Sequence, residues 1–296
     1  MSFARSSAEM GAAFSLPAVL SIAGSDCSGG AGIEADLKTI LALGLYGEAA
    51  ITSVTAQNTV GVRGCHQVPP DVIEAQVDAV FEDIVPAAVK VGMLGSAEAA
   101  HAVARALRRH GAGQGGTVPV VLDPVMASST GASLSGAETV EAVVGELFGL
   151  ATLVTPNIPE AVKLASRFTG GGGVGVPSSR ADVERLAARV KTLVPGAVLV
   201  KGGHATDAAD DLLVLADCSS VWLPGERIAA ANTHGTGCTL SSAIACGLAE
   251  GLDLERAVRD AKAYLVGALR AGLDLGAGSG PVDHAWYVRS RLAYPA

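Results

Sequence analysis

The amino-acid sequence predicts an α/β protein, a three-layer α/β/α sandwich on a mostly parallel, doubly wound sheet. Short apolar runs rich in β-branched residues alternate along the 296-residue chain with longer segments of helical period, as in repeated strand–helix–strand units. Aromatic residues make up only 4% of a chain that is 49% hydrophobic, so aliphatic side chains must fill the core, as they do around a buried parallel sheet. No linker-like segment divides regions of different composition, so we expect one domain over residues 17–296.

The strands are predicted first. Buried strands are expected at residues 18–23, 49–56, 87–91, 118–122, 151–154 and 197–200, which are short and apolar. Because helical segments separate these runs, the connections should be right-handed crossovers between parallel strands. Residues 211–215 and 221–223 are separated by a short polar turn, which predicts an antiparallel hairpin.

Helices are predicted between the strands, where apolar residues recur at spacings of three and four. Residues 33–41 follow the first strand and residues 73–84 follow the second, each with one apolar face. Two long helices, at residues 236–250 and 254–271, close the chain. Helices placed in this way would cover both faces of the sheet.

Composition and charge exclude several classes of protein. A formal net charge of -8 leaves no basic field for a nucleic acid. No run reaches the roughly 20 uninterrupted apolar residues of a membrane span, so no membrane partner is expected. The 5 cysteines form no C-x-x-C pair and their odd number leaves at least one thiol unpaired, which favours a reducing cytoplasm. The 6 histidines show no zinc-ligand spacing, so no zinc site is expected. Residues 1–16 lack the apolar core of a signal peptide, and we interpret them as a disordered N-terminal extension.

Open sheets of this kind bind ligands beyond the carboxyl ends of their strands. The strongest local signal is the stretch Asn-Thr-His-Gly-Thr-Gly-Cys-Thr at residues 232–239, which leads directly into an apolar helix. Gly235 and Gly237 allow successive N–H groups to converge, and the helix N-terminus adds partial positive charge, which predicts an anion hole for a phosphate. An ordinary helix start with Thr236 as N-cap explains the same residues.

Two polar side chains near such positions have alternative interpretations. Cys238 lies in the first turn of that helix, where the dipole can lower the thiol pKa, so it could accept a proton or simply line the site. A small buried apolar residue is the alternative. Lys201 ends a strand ahead of two glycines and could reach phosphate oxygens, although a surface lysine at a turn is the commoner explanation.

Three carboxyl or amide side chains are further candidates. The spacing of Asn157 and Glu160 is that of a capping box, and it would also allow both to hold Mg²⁺ through its waters. Asp36 lies between Ile33 and Ile40 on the apolar helix face, where a carboxylate needs a compensating donor. A ligand hydroxyl or amine could supply that donor, and so could a backbone N–H or Lys38.

A series of short motifs is arranged in order along residues 17–282. They lie at residues 22–26, 28–33, 35–39, 55–59, 92–94, 122–126, 155–157, 201–204, 232–241 and 280–282. Together they resemble the hydroxymethylpyrimidine/phosphomethylpyrimidine kinases of thiamine biosynthesis, a ribokinase-like family. The resemblance implies ATP-dependent phosphorylation of 4-amino-5-hydroxymethyl-2-methylpyrimidine, and then of its monophosphate, in the cytoplasm. It implies Mg²⁺ as a cofactor, a monovalent cation as a further candidate, and a homo-oligomer, with a dimer favoured.

The resemblance also implies roles for residues at matching motif positions. The aminopyrimidine would be bound by Gly24, Asp36, Gln57, Met93 and Val125. Phosphoryl transfer would use Lys201 and an anion hole formed by Gly235, Thr236, Gly237 and Cys238. The nucleotide would contact Asn157, Lys201, Gly202 and Thr233. The metal would be held by Asn157 and Glu160, with Asp123 as a further candidate.

Two segments depart from the family pattern. Residues 127–131 read Ala-Ser-Ser-Thr-Gly where many members have a lysine, and residues 170–175 are unusually rich in glycine. Two other functions stay open. One is a pyridoxal/pyridoxine kinase, because that substrate presents the same hydroxymethyl nucleophile. The other is a non-catalytic binding protein for a vitamin precursor.

Overall fold

The structure is a computed structural model that describes residues 15–126, 136–170, 174–202, 209–228 and 232–292. Nearly all of the expected N-terminal extension therefore lies outside the described residues. The divergent segment 127–131, the middle of the glycine-rich loop and the two residues after Gly202 lie outside them too.

The described residues contain one nine-stranded sheet. Its strands are β1 Ala18–Asp26, β2 Tyr46–Asn58, β3 Gly61–Gln67, β4 Ala88–Val91, β5 Val120–Leu122, β6 Leu153–Val154, β7 Ala197–Val200, β8 Asp211–Val214 and β9 Ser220–Leu223. The spatial order is β3-β2-β1-β4-β5-β6-β7-β8-β9. The six central strands pair in parallel, in the spatial order β2, β1, β4, β5, β6 and β7. At the two edges, β3 pairs antiparallel with β2, and β8 and β9 continue antiparallel from β7. The order reverses direction around β1, which is the switch point of a doubly wound sheet.

Helices cover both faces of this sheet. They are α1 Gly32–Ala42, α2 Pro70–Asp83, α3 Ala97–Arg109, α4 Ala137–Ala142, α5 Ile158–Phe168, α6 Arg180–Lys191, α7 Thr236–Ala249, α8 Leu254–Arg270 and α9 Trp286–Leu292, and a π-helical turn at Val143–Leu147 continues α4. One apolar core joins the sheet to α2 through α6, and a second joins it to α1, α7 and α8. Two cores on one sheet make the three layers that the sequence predicts.

The predicted elements are present with small changes at their ends. All six expected parallel strands form, and the hairpin of β8 and β9 is antiparallel as predicted. The sequence did not predict β3, because its residues are mostly exposed and show no apolar alternation. It pairs with β2 through backbone hydrogen bonds, which need no side-chain pattern.

Helix α7 is apolar on nearly every side because it is packed between the sheet and α8. A Cβ at Gly247 would lie 2.9 Å from the Ala257 side chain, so the two helices approach as closely as glycine allows. This packing explains the small-residue run in the sequence. No helix in the described ranges has the length and apolar character needed to cross a membrane.

Candidate active site

A cleft of about 640 Å³ lies beyond the carboxyl ends of the central strands. It is lined by most of the residues singled out above, namely Gly24, Gln57, Met93, Asp123, Val125, Asn157, Glu160, Lys201, Thr233, Gly235, Thr236, Gly237 and Cys238. The N-termini of α1, α5 and α7 also reach it, because Gly32, Pro159 and Thr236 are among its lining residues. The topology therefore gathers segments that are far apart in the sequence.

The start of α7 forms a tight turn against the glycine-rich loop after β1. Gly235 has φ = 82°, and a Cβ there would lie 1.9 Å from the carbonyl oxygen of Gly30. Both the backbone angle and the contact require glycine. Gly235 is also the residue that caps α7, so the alternative with Thr236 as N-cap is wrong by one residue. The first residues of α7 line the cleft, which is where the predicted anion hole would lie, although the Thr236 N–H donates to the Thr233 carbonyl at 3.3 Å.

Cys238 is partly buried in the first turn of α7 and lines the cleft. Burial raises the pKa of its thiol to about 11, although nearby Lys90 and a hydrogen bond from the Gly32 backbone act in the opposite direction. The net shift of the thiol pKa is therefore upward, and not downward as the position in the first turn of α7 suggested. Desolvation of a thiolate outweighs the two favourable contributions.

Asp123 and Lys201 form an ion pair on the cleft wall. Asp123 Oδ1 accepts hydrogen bonds from Lys201 Nζ at 2.8 Å and from Thr155 Oγ1 at 3.0 Å. Burial opposes the lysine charge, but Asp123 and Glu160 outweigh it and raise the pKa of Lys201. A Cβ at Gly237 would lie 3.0 Å from Asp123 Oδ2 and 3.4 Å from Lys201 Nζ, so this ion pair adjoins the anion hole.

Asn157 and Glu160 begin α5 with a complete capping box. Asn157 Oδ1 accepts from the Glu160 N–H, and Glu160 Oε2 accepts from the Asn157 N–H, both at 2.9 Å. The capping interpretation is thus confirmed, and both residues also line the cleft. Burial raises the pKa of Glu160 to about 7, with Lys201 opposing the shift and Asp123 adding to it. No cluster of three or more His, Cys, Asp or Glu suited to a metal occurs among the described residues.

Another part of the cleft wall is formed by β1, β2 and the loop after β4. A Cβ at Gly24 would lie 2.4 Å from Met93 Cε and 2.7 Å from Ser53 Oγ, so only glycine fits between them. The Gly24 N–H donates to the Met93 carbonyl at 3.0 Å, which joins these two predicted pocket residues directly. Gln57, near the end of β2, also lines the cleft, and its side-chain amide lies 3.1 Å from the His234 ring.

Asp36 requires a correction, because it does not line the cleft. It is fully buried, and its carboxylate accepts from Lys90 Nζ at 2.6 Å, Ser21 Oγ at 2.5 Å and Ser242 Oγ at 2.8 Å. The compensating donors that a buried carboxylate needs are thus supplied by the protein. Neither the ligand nor Lys38 provides them.

Gly202 also requires a correction. Its N–H donates to Asp211 Oδ1 at 2.8 Å, and it is buried outside the cleft lining. A Cβ there would lie 1.8 Å from the Asp210 carbonyl oxygen, so the close approach of the residue just before β8 explains the glycine. Thr233 does line the cleft and is exposed.

Several lining residues were given no role by sequence reasoning, and two of them contact each other. Asp26 ends β1, and His234 precedes Gly235; their side chains meet with His234 Nε2 2.7 Å from Asp26 Oδ2. His234 Nε2 also lies 3.1 Å from Gln57 Nε2. A signal was available, because both residues lie in motifs that carry the family resemblance, at residues 22–26 and 232–241, and both adjoin glycine-rich turns.

Comparison with known proteins identifies the family. The sequence profile described as phosphomethylpyrimidine kinase matches residues 26–283, most of the chain. The chain belongs to the phosphomethylpyrimidine kinase family. A hydroxymethylpyrimidine/phosphomethylpyrimidine kinase of Streptomyces coelicolor is 46% identical over 271 residues, covering 91% of this chain and 95% of that protein.

Solved structures of similar proteins agree with this family. Phosphomethylpyrimidine kinase from Clostridium difficile superposes with a TM-score of 0.72 at 40% identity, covering 84% of this chain and 98% of that one. Pyridoxal kinase from Bacillus subtilis, solved as an ADP complex, has a TM-score of 0.80 at 30% identity and covers 94% of this chain and 100% of that one.

Membership of the phosphomethylpyrimidine kinase family confirms three predictions. The chain has the predicted ribokinase-like α/β fold, it is a phosphotransferase, and its role lies in thiamine biosynthesis. A kinase takes its phosphoryl group from a nucleoside triphosphate, and ATP use follows from the family. The alternative of a non-catalytic binding protein is not supported.

Proposed function

We propose that this phosphomethylpyrimidine kinase family member phosphorylates 4-amino-5-hydroxymethyl-2-methylpyrimidine and then its monophosphate. One observation carries the proposal. A single cleft is lined by the predicted anion hole at the start of α7, by Lys201, and by Gln57, Gly24 and Met93. A phosphoryl donor and a small polar ring could therefore meet in one enclosed space.

The cationic part of the proposed mechanism is Lys201. Its ammonium group contacts Asp123 at 2.8 Å, and its side chain is 14% exposed, so it can turn from the carboxylate to a phosphate oxygen. The N–H groups at Gly235, Thr236, Gly237 and Cys238 would stabilise charge on the equatorial oxygens of the transferring group. Positioning and charge stabilisation supply most of the acceleration in phosphoryl transfer.

Cys238 is the proposed proton acceptor for the hydroxymethyl group, a role that only its thiolate can perform. With a thiol pKa of about 11, the side chain is protonated in the free protein near pH 7, so it would first have to release that proton to solvent. Lys90 and the N-termini of α1 and α7 would favour the thiolate. The hydroxymethyl proton would then pass to the sulfur as the substrate oxygen bonds to the γ-phosphoryl group and ADP leaves.

Oxygen ligands suitable for Mg²⁺ are present in the cleft. Glu160 and Asp123 are neighbouring carboxylates, and the pKa of about 7 at buried Glu160 indicates that its charge lacks full compensation there. Two carboxylates and the Asn157 carbonyl fit an ion that keeps most of its waters. When bound, such an ion would neutralise charge on the ATP phosphates, and Thr233 would contact the nucleotide. A monovalent cation stays a prediction.

The direct test is incubation of the protein with ATP, Mg²⁺ and the hydroxymethylpyrimidine, followed by mass spectrometry. We expect the monophosphate first and the diphosphate later. A protein that hydrolyses or binds ATP without forming either product would contradict the proposal.

A second candidate activity is phosphorylation of pyridoxal or pyridoxine. It is favoured by structural similarity, because pyridoxal kinases from Bacillus subtilis and Staphylococcus aureus superpose with TM-scores of 0.80 and 0.79. The same assay with pyridoxal separates the two: a larger kcat/KM for pyridoxal than for the pyrimidine would make this the main activity.

The remaining proposals concern the assembly and its compartment. We infer a homodimer in the cytoplasm, supported by the 5 cysteines, none in a disulfide, and by the exposed apolar side chains Tyr46, Val54 and Val60 near one sheet edge. Light scattering on the purified protein measures the oligomeric state.

A further inference from the structure

The carboxylate of Asp26 is held as a hydrogen-bond acceptor by the loop that follows it. Asp26 Oδ1 accepts from the Ser28 N–H at 2.9 Å and from Ser28 Oγ at 2.7 Å, and Oδ2 accepts from the Ala31 N–H at 3.0 Å. Burial opposes ionisation, but hydrogen bonds from His234 and Ser28 outweigh it and lower the pKa of Asp26 to about 2. The group is therefore an acceptor-only carboxylate at neutral pH.

This carboxylate determines the proton position on His234. The imidazole is 5% exposed, and its Nε2 lies 2.7 Å from Asp26 Oδ2. An ionised carboxylate can only accept, so Nε2 must carry a hydrogen and donate it. The ring is thus fixed with Nε2–H directed at Asp26.

The proton on His234 in turn determines which way the Gln57 amide faces. One end of that amide lies 3.1 Å from the same Nε2 atom. The NH₂ group cannot donate to a nitrogen that already bears a hydrogen, and the two ends of an amide are assigned from their partners. The Gln57 carbonyl oxygen must therefore face His234, and the NH₂ group faces away from it.

We infer that His234, oriented by Asp26, is a specificity-determining residue that locks the Gln57 amide with its carbonyl on the His234 side. The inference rests on the proposed function for the nature of the ligand. An amide in this orientation pairs with a ring edge that carries an amine beside a ring nitrogen: the carbonyl accepts from the amine and the NH₂ donates to the nitrogen. The hydroxymethyl group beside the 4-amine must reach the anion hole, which begins at Gly235 next to His234, so the amine would lie on the His234 side. In that pose the amide orientation favours an aminopyrimidine edge.

The same amide orientation disfavours a ring edge on which the donor and the acceptor are exchanged. The 4-oxo counterpart of the substrate carries a carbonyl beside a ring N–H, so it requires an amide turned by 180°. In that orientation the Gln57 NH₂ would face the Nε2–H of His234, donor against donor. A site with a fixed hydrogen-bonding pattern discriminates more strongly than one that only excludes by size.

The test compares kcat/KM for the amino substrate and for its 4-oxo analogue in wild type and in His234→Leu. We expect wild type to prefer the amino compound, and the ratio to fall about tenfold or more in His234→Leu, because the amide is then able to turn. The matched control is His110→Leu. His110 Nε2 also lies 2.7 Å from an aspartate, Asp78, but outside the cleft lining, so the ratio should not change.

The outcomes separate the two claims. Suppose that wild type phosphorylates the amino substrate and that His234→Leu keeps the wild-type ratio of the two kcat/KM values. The inferred role of His234 in orienting the Gln57 amide is then wrong, and the proposed function stands. If wild type forms no product from either compound, the proposed function fails. In that case ¹⁵N NMR of the histidine rings tests the inferred role of His234. An Nε2–H tautomer at His234 supports it, and an Nδ1–H tautomer overturns it. If His234→Leu does not fold, His234→Phe replaces it, since it keeps a planar ring without the Nε2–H, and the same fall in the ratio is expected.

Discussion

Two buried lysine–aspartate pairs of the same chemistry have different environments. Lys90 and Asp36 are 0% exposed and 2.6 Å apart, whereas Lys201 and Asp123 are 14% and 3% exposed and 2.8 Å apart. Asp36 is also bonded to Ser21 on β1, so its partners come from several elements. Only the second pair lines the cleft.

The difference in exposure between the two pairs assigns the Lys90–Asp36 pair to stability and the Lys201–Asp123 pair to function. A fully enclosed pair with additional hydrogen bonds joins α1, β1, β4 and α7 and has no route to a ligand. A pair at the cleft surface can give up one contact for a phosphate oxygen. Exposure of a few side-chain atoms therefore determines which lysine can take part in turnover.

The largest effect is expected from breaking the enclosed Lys90–Asp36 pair, and it is on the free energy of unfolding. Asp36→Ala should lower the free energy of unfolding by about 3–5 kcal/mol, because it leaves the Lys90 ammonium buried without its carboxylate. Urea denaturation measures this. In the double variant Asp36→Leu/Lys90→Met we expect much of the stability to return, since no charge is left buried. Wild-type stability in Asp36→Ala with weaker pyrimidine binding would reverse our assignment of Asp36.

A somewhat smaller effect is expected from breaking the Lys201–Asp123 pair in the cleft, and it is on kcat. Lys201→Met should reduce kcat by about 10²–10³-fold, the usual cost of losing one charge-stabilising donor. The matched control is Lys191→Met: Lys191 Nζ bonds the Val194 carbonyl at 3.0 Å, away from the cleft, and its loss should leave kcat unchanged. Equal kcat values in the two variants would remove Lys201 from the mechanism.

The smallest expected effect concerns a carboxylate that lacks a lysine. Glu48 on β2 is buried, its Oε2 has no hydrogen-bond partner among the described residues, and burial raises its pKa from 4.5 to about 7. Stability should therefore fall as the pH rises from about 4.5 to 7, since the unfolded chain releases this proton first.

Thermal unfolding of wild type and Glu48→Gln across this range measures the effect. The neutral amide should remove about 1–3 kcal/mol of the pH-dependent loss. Parallel stability curves for the two proteins would show that Glu48 does not titrate in this window.

Much of the fold could be predicted because its signals are local. Apolar runs identified the parallel strands, and glycines at strand and helix ends identified the turns that face the cleft. Gly235 illustrates this through its φ of 82° in a turn that begins α7, although its close approach to Gly30 depends on the tertiary fold. The edge strand β3 escaped prediction because backbone pairing alone holds it in place.

The site was predicted less completely, because partners far apart in sequence complete it. Cys238 was expected to have a low thiol pKa from its helix position, yet burial by the rest of the protein raises it. His234 and Asp26 are 208 residues apart, and no spacing rule connects them.

By itself, the sequence determined the strand and helix pattern, the anion-hole turn and the family, because periodicity, capping and motif order are properties of neighbouring residues. Tertiary structure alone decided that Asp36 is paired with Lys90, 54 residues away, and not with a ligand. It also decided that His234 faces both Asp26 and Gln57. Burial and hydrogen-bond partners depend on which segments the fold brings together, and they set the charge and the role of each polar side chain.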